Sequence, residues 1–341
     1  MPDLGSIWFV LIGVLLLGYA VLDGFDLGVG IIQPYVARSD DERHVVHLSI
    51  GPVWDGNEVW LLTAGGALFA AFPLVYATVF SGFYLALVLL LGALIVRAVA
   101  IEFGEQLAAP GWRNAWSWAF VVGSLLPPIL LGVAVGNVIR GLPLDADGLY
   151  RGGLIGLLTP FPLLVGLLVA AFAATHGALW LVVKTEGEVA ARARRAATAG
   201  WLVEAGLWVV TTAAAPFLAP GHWAVIGQPI GWLGPIVAAV GLAGVPLALR
   251  GGRSLVALAA SAVAMAGMIG TLGAGLYPNL VPALDEPARS LTIARAASSD
   301  LSLTVMLAIA VVAVPMVLAY TAFIYWRFRG KVQPDEGGYS G

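Results

Sequence analysis

The sequence contains no cysteine and only four histidines among 341 residues. A disulfide framework, a thiolate metal site and an iron–sulfur cluster are therefore excluded. Charge is scarce too: 11% of residues are Asp, Glu, Lys or Arg, whereas a soluble chain of this length carries about a quarter. Lysine occurs twice, at Lys184 and Lys331, so 15 of the 17 basic residues are arginine. No soluble domain or low-complexity tract is present, apart from a polar end after Arg329. These deficits exclude a water-soluble protein, and no nucleic-acid partner is expected. The net charge of −3 carries little information, because most of the surface must face lipid.

What is abundant is apolar sequence. Hydrophobic residues make up 60% of the chain and the mean hydropathy is +0.92. They come in blocks long enough to cross a bilayer, which takes about 20 residues. The first block, 6–33, follows Met1-Pro2-Asp3 without a positive flank or a cleavage pattern. It is also too long for a signal peptide, so it is expected to be a mature span. Nine spans are expected, near 6–33, 50–72, 76–103, 115–140, 154–183, 197–219, 228–250, 254–276 and 300–328. They form one all-α integral membrane domain over 1–341. Thirteen of the 17 basic residues follow odd-numbered spans, and only Arg140, Arg151, Arg289 and Arg295 lie on the other side. The positive-inside bias then places the N-terminus outside and the C-terminus in the cytoplasm.

Within this apolar chain, ionisable residues gather at one depth. The first span ends "GYAVLDGFDLGVG" (18–30), and Tyr19, Asp23, Asp26 and Gly30 are spaced to share one helical stripe. Ala20, Gly24 and Gly28 form a small-residue line on an adjacent face, suited to close contact with another helix. The second span opens "WDGNEVW", with Asp55, Asn57 and Glu58 in one turn, and the third closes with Arg97 and Glu102. Each such group at the bilayer centre costs about 2.5–3.5 kcal/mol on insertion scales, less towards the ends. Two readings compete: an ion-pair cluster that fixes packing, and a proton or ion route. A structural network is expected to balance its charges, so the surplus of carboxylates favours the route.

Other polar residues suggest blander roles. His176 is expected to be a hydrogen-bonded packing residue, and His44 and His47 to lie solvated in a short loop. Glu204 is expected to reach the headgroups. Pro127-Pro128 is expected to kink the fourth span and free backbone carbonyls.

"DGFDLGVG" (23–30), "GPVWDGNEVWLLTAGGALFAAFP" (51–73) and "GSLLPPILLGVAVGN" (123–137) resemble subunit II of the cytochrome bd-type quinol oxidases. So do "SLTIARAASSDLSLTVML" (290–307) and "YTAFIYWRF" (320–328), while 141–276 is less similar. The resemblance implies two four-helix bundles plus a peripheral helix, in an enzyme that couples quinol oxidation to reduction of O₂ to water. It places two b haems and one d haem in a larger partner, subunit I, and leaves this subunit haem-free. It associates Asp55 with a proton path from the cytoplasm and matches the family's motifs at Asp23, Asp26 and Arg97; Glu58 and Glu102, at the same depth, are expected as further members of the path. Some relatives carry Gln in place of Glu58, which ranks it below Asp55. Expected partners are subunit I, membrane lipid and quinol, with a small single-helix subunit as an optional addition. The competing class is a secondary transporter with ion-binding carboxylates at the midplane, and a third is a purely structural subunit.

Overall fold

The computed structural model describes residues 3–104, 106–107 and 109–332; the polar end beyond Val332 lies outside the described residues. The elements are α1 (Leu4–Val36), α2 (Asp40–Ile50), α3 (Trp54–Ala71), α4 (Pro73–Gly82), α5 (Tyr84–Phe103), α6 (Pro110–Arg140), α7 (Leu154–Leu157), α8 (Pro160–Lys184), α9 (Gly187–Leu218), α10 (Pro220–Ile226), α11 (Leu233–Arg250), α12 (Ser254–Leu276), α13 (Ile293–Ala296) and α14 (Asp300–Arg327). A short antiparallel pair, β1 (Asn279–Val281) with β2 (Leu291–Thr292), lies between α12 and α13. Eight helices among the described residues are long and apolar enough to cross a membrane: α1, α5, α6, α8, α9, α11, α12 and α14.

The departures from the expected spans have local causes. The expected 76–103 span resolves into α4 and α5, parted at Phe83, and Tyr150 packs against Gly82 there. A Cβ on Gly82 would sit 2.8 Å from the Tyr150 Cβ, so the approach depends on glycine. The expected 154–183 span becomes α7 and α8, because Thr159 precedes Pro160 and is held extended. α9 begins ten residues before the expected 197, since its polar opening turns, with Arg192, Arg194 and Arg195, carry no hydropathy signal. The expected 228–250 span starts as α11 at Leu233, after a 3-10 turn over Pro229–Trp232. α6 runs through Pro127-Pro128 as one element, and these prolines leave the carbonyls of Gly123 and Ser124 without an intrahelical donor.

α1, α6 and α8 pack on one another at the centre of the molecule. α3 lies against α1, α5 against α6, α9 against α8, and the α11–α12 pair against α8 and α1. The small-residue line of α1 makes its closest approach at Gly28. A Cβ there would fall 1.8 Å from the Ala173 carbonyl oxygen, and one on Gly177 would strike the Gly28 backbone. Between lipid-embedded helices, such contact supplies the dispersion and packing that a hydrophobic driving force cannot.

α14 stands apart, touching α1 and α3 and leaving most of its surface exposed. Its C-terminal end is strapped down by Lys184, whose Nζ donates to the carbonyls of Phe328 and Gly330. At the opposite end of the molecule, Leu142 bridges to Ala283, and Arg295 Nη2 donates to the Ala146 carbonyl at 2.9 Å. The loop after α6 and the segment before α14 therefore cover the same end.

Candidate functional site: a buried carboxylate–arginine cluster

Four helices deliver polar side chains to one place inside the bundle. α1 brings Asp23 and Asp26, one turn apart, α3 brings Asn57 and Glu58, α5 brings Arg97, and α14 brings Tyr325. Asp23, Asp26 and Arg97 are fully buried and Asn57 nearly so. Arg97 Nη1 lies 2.5 Å from Glu58 Oε1 and 3.2 Å from Asp23 Oδ1. Asp26 Oδ2 accepts from Asn57 Nδ2 at 2.7 Å, and the Asn57 Oδ1 in turn accepts from the Tyr325 hydroxyl at 3.1 Å. The Arg97 guanidinium also sits 5.9 Å from the centre of the Trp54 ring. Asp23 and Glu58 share one guanidinium and Asp26 lies one turn away without an ion pair, so acid groups are in surplus and can hold a proton among them.

Asp55 lies at the edge of this group. It occupies the first turn of α3, is exposed, and stands one turn before Glu58, whose side chain is 23% exposed. The residues thus run from the surface inward: Asp55, Glu58, Arg97, Asp23. Glu102 does not join them. It is exposed near the end of α5 and makes no ion pair among the described residues, because five residues beyond Arg97 turn it to another face.

Spacing placed Asn57 beside Asp55 and Glu58 but missed three contributors, Tyr325, Gln33 and Ser124. Asn57 and Tyr325 bridge Asp26 to α14. Gln33 extends the α1 stripe one turn past Gly30, with its Nε2 donating to Ser117 Oγ at 2.8 Å. Ser124 of α6 is buried against Gly30. The signal for Gln33 was available, since it continues the 3–4 spacing of Asp23, Asp26 and Gly30. Nothing in the sequence pairs Ser124 or Tyr325 with α1.

Two other expectations change. His44 and His47 are not in a loop: they lie on α2, whose N-cap Ser39 accepts from the Glu42 backbone N–H at 3.2 Å. His47 Nε2 lies 2.9 Å from Gln33 Oε1, and its ring meets Phe120 edge-on at 4.9 Å. Glu204 lies inside α9, buried, rather than at the headgroups, because α9 starts so early that this residue falls mid-helix. His176 packs as expected. Its Nε2 donates to the Val21 carbonyl at 3.1 Å, and its Nδ1 accepts from the Ser261 hydroxyl at 3.0 Å, so both ring nitrogens are engaged within the chain.

On the same side of the molecule, outside the bundle, Asp40 joins Arg43 at 2.6 Å and Arg113 at 2.9 Å. The Arg113 hydrogen bond, seconded by the Arg43 charge, holds the Asp40 carboxyl below its ordinary range. The described residues contain no group of three or more His, Cys, Asp or Glu placed to hold a metal ion.

Fold and cluster together define a multi-pass membrane protein with a polar core near one end of its bundle. Residues 4–328 match the family model of cytochrome bd terminal oxidase subunit II. The chain is 39% identical to cytochrome bd-I ubiquinol oxidase subunit 2 of Escherichia coli (strain K12), over 97% of this chain and 95% of that one. It is 34% identical to cytochrome bd ubiquinol oxidase subunit 2 of Bacillus subtilis (strain 168), over 98% and 99%. The solved bd oxidase of Geobacillus thermodenitrificans shares the fold with a TM-score of 0.78, at 17% identity, over 95% of this chain and 98% of the matched chain. The chain belongs to the cytochrome bd terminal oxidase subunit II family. It is accordingly a subunit of a respiratory oxidoreductase complex, embedded in the bacterial inner membrane.

Proposed function

We propose that this chain is the haem-free subunit II of a quinol oxidase and carries protons from the cytoplasm towards the site of O₂ reduction. In this reading the two b haems and the d haem belong to subunit I, which also takes electrons from quinol. This chain supplies a docking surface and a proton entry, and leaves room for lipid and a small single-helix subunit at its rim. Nine spans result when α3 is counted with the eight longer or more apolar helices. Its 18 residues reach about 27 Å at 1.5 Å per residue. The first bundle is then α1, α3, α5 and α6, and the second α8, α9, α11 and α12, with α14 peripheral. The excess of Arg and Lys on one side supports an N-terminus outside and a C-terminus in the cytoplasm.

The observation that carries the proton reading is the run from exposed Asp55 through Glu58 to the buried Arg97–Asp23 pair. A purely structural pair would need no exposed acid one turn outside it. The transporter reading draws no support from the family or from an internal repeat.

The test is Asp55→Asn, which keeps size and most hydrogen bonding but cannot lose and regain a proton. The complex should assemble with its full haem content and turn over O₂ several-fold more slowly at saturating quinol. Asp55→Glu should be milder, as it keeps a titratable group displaced by one methylene. An Asn variant that assembles fully and runs at the wild-type rate per haem would remove Asp55 from the mechanism.

A further inference from the structure

A second polar line reaches the same cluster from a different side. Between α2, α5 and α6 lies a cavity of about 240 Å³, lined by Asp40, Arg43, His44, His47, Arg113 and Ser117. Its side chains are charged or polar almost throughout, and Ala100 of α5, one turn from Arg97, forms part of its wall. At its inner end His47, Gln33 and Ser117 are joined by hydrogen bonds of 2.9 and 2.8 Å. Gln33 stands on the α1 stripe that continues through Gly30 to Asp26.

The next level inward is Ser124, seven residues beyond Ser117 on the same face of α6. Its hydroxyl is fully buried and packs onto Gly30; a Cβ on Gly30 would lie 2.1 Å from the Ser124 Oγ. Beside it, a Cβ on Gly123 would meet the Arg97 backbone N–H at 2.9 Å, so Ser124 and Arg97 share one depth. Ser124 Oγ, Arg97 Nε and Nη2 and Asp26 Oδ1 are buried with no hydrogen-bond partner in the protein. The Gly123 and Ser124 carbonyls, freed by Pro127 and Pro128, point to the same requirement. Buried polar atoms at this density are satisfied by water. Phe120, fully buried, stands between the two levels, edge-on to His47 and with its ring tip close to Gly30.

The geometry points to a second cytoplasmic proton entry, contained within this chain: from the α2 cavity past His47, Gln33 and Ser117, around Phe120, to Ser124 and Asp26. It rests on the proton-uptake reading above and adds to it a mouth that does not use Asp55. Asp26 takes up one proton from the adjoining water, that water regains one from the cavity, and Asp26 then releases its proton inward towards Asp23, so each passage moves a single proton with no other change. Phe120 sets how readily the water file closes. Gly30 is glycine because a Cβ there would strike the Ser124 side chain, which packs directly onto α1 at this level.

The test compares O₂ reduction per haem at saturating quinol, in membranes carrying the whole complex, for Gln33→Leu, Asp55→Asn and the double variant. Each single variant should be slowed several-fold with haem content retained, and the double variant should lose nearly all turnover. If Gln33→Leu runs at the wild-type rate and the double variant is no slower than Asp55→Asn alone, the second entry is overturned while the uptake role stands. If all three run at the wild-type rate, the uptake role itself fails. Because this chain has no native cysteine, Ser124→Cys supplies a readout independent of turnover. Ethylammonium methanethiosulfonate applied from the cytoplasmic face should modify the introduced thiol, and adding Phe120→Ala should speed modification several-fold. A thiol that stays unmodified even when Ser124→Cys is combined with Phe120→Ala, in a complex with full haem, would overturn the passage.

Discussion

Arg97 has no contact with solvent, and its charge is paired with Asp23 and Glu58. Removing one partner of a buried ion pair costs about 3–5 kcal/mol, because the survivor is left uncompensated. Arg97→Met should therefore sharply reduce the amount of assembled complex, measured as haem per membrane protein. The triple variant Arg97→Met, Asp23→Asn, Glu58→Gln should recover much of that amount while remaining slow in turnover. Recovery of both would make the cluster a packing device alone. The helical period made Asp23 and Asp26 legible as neighbours, since spacings of 3 and 4 return to one face. The bond from Glu58 to Arg97 was not legible, because it depends on how far α3 stands from α5. Glu102 could have been excluded beforehand: a five-residue step turns it about 140° from Arg97. Glu204 misled for another reason, since its depth depends on a helix start that polar residues conceal.

At the scale of elements, the close crossing of α1 and α8 is set by Gly28 and Gly177. Gly28→Ala would drive a methyl into the Ala173 carbonyl, which is backbone and cannot swing aside. Overpacking of this kind costs about 1–3 kcal/mol. The expected outcome is a lower thermal midpoint of the purified complex in detergent, with haem spectra intact in the fraction that assembles. Gly13→Ala, where a Cβ meets nothing within 4 Å, should leave the midpoint unchanged. The small-residue line pointed to such a contact before the partner helix was known. α2 was not legible in hydropathy, which does not register an eleven-residue polar helix. Its sequence signal was the Ser39 cap followed by Asp40, Asp41 and Glu42, acids that favour a helix N-terminus.

For the whole molecule, the arginine bias makes a definite statement about sidedness. A reporter active only outside the cytoplasm should be active when fused within 285–299 and silent after residue 190 or at the C-terminus. The opposite pattern would carry the cluster to the other face of the membrane, and neither proposed entry could then draw on the cytoplasm. The structure adds a reason to expect one answer for two separated loops, since 142–151 and 279–297 pack together at a single end. Hydropathy found the eight long apolar helices, and their grouping into two bundles is a proposal that rests on the family resemblance. The breaks at Phe83 and before Pro160 fall inside apolar runs, where hydropathy has no contrast to register.

The contact at Gly28 gives the stretch DGFDLGVG a divided inheritance. Its two aspartates serve charge, whereas its second glycine serves only the distance between α1 and α8. The two can part company in descent. A chain that kept Gly28 and lost Asp23, Asp26, Glu58 and Arg97 together would fold around the same crossing and could still dock. It would be an architectural copy of this protein, with the shape preserved and the acid chemistry gone.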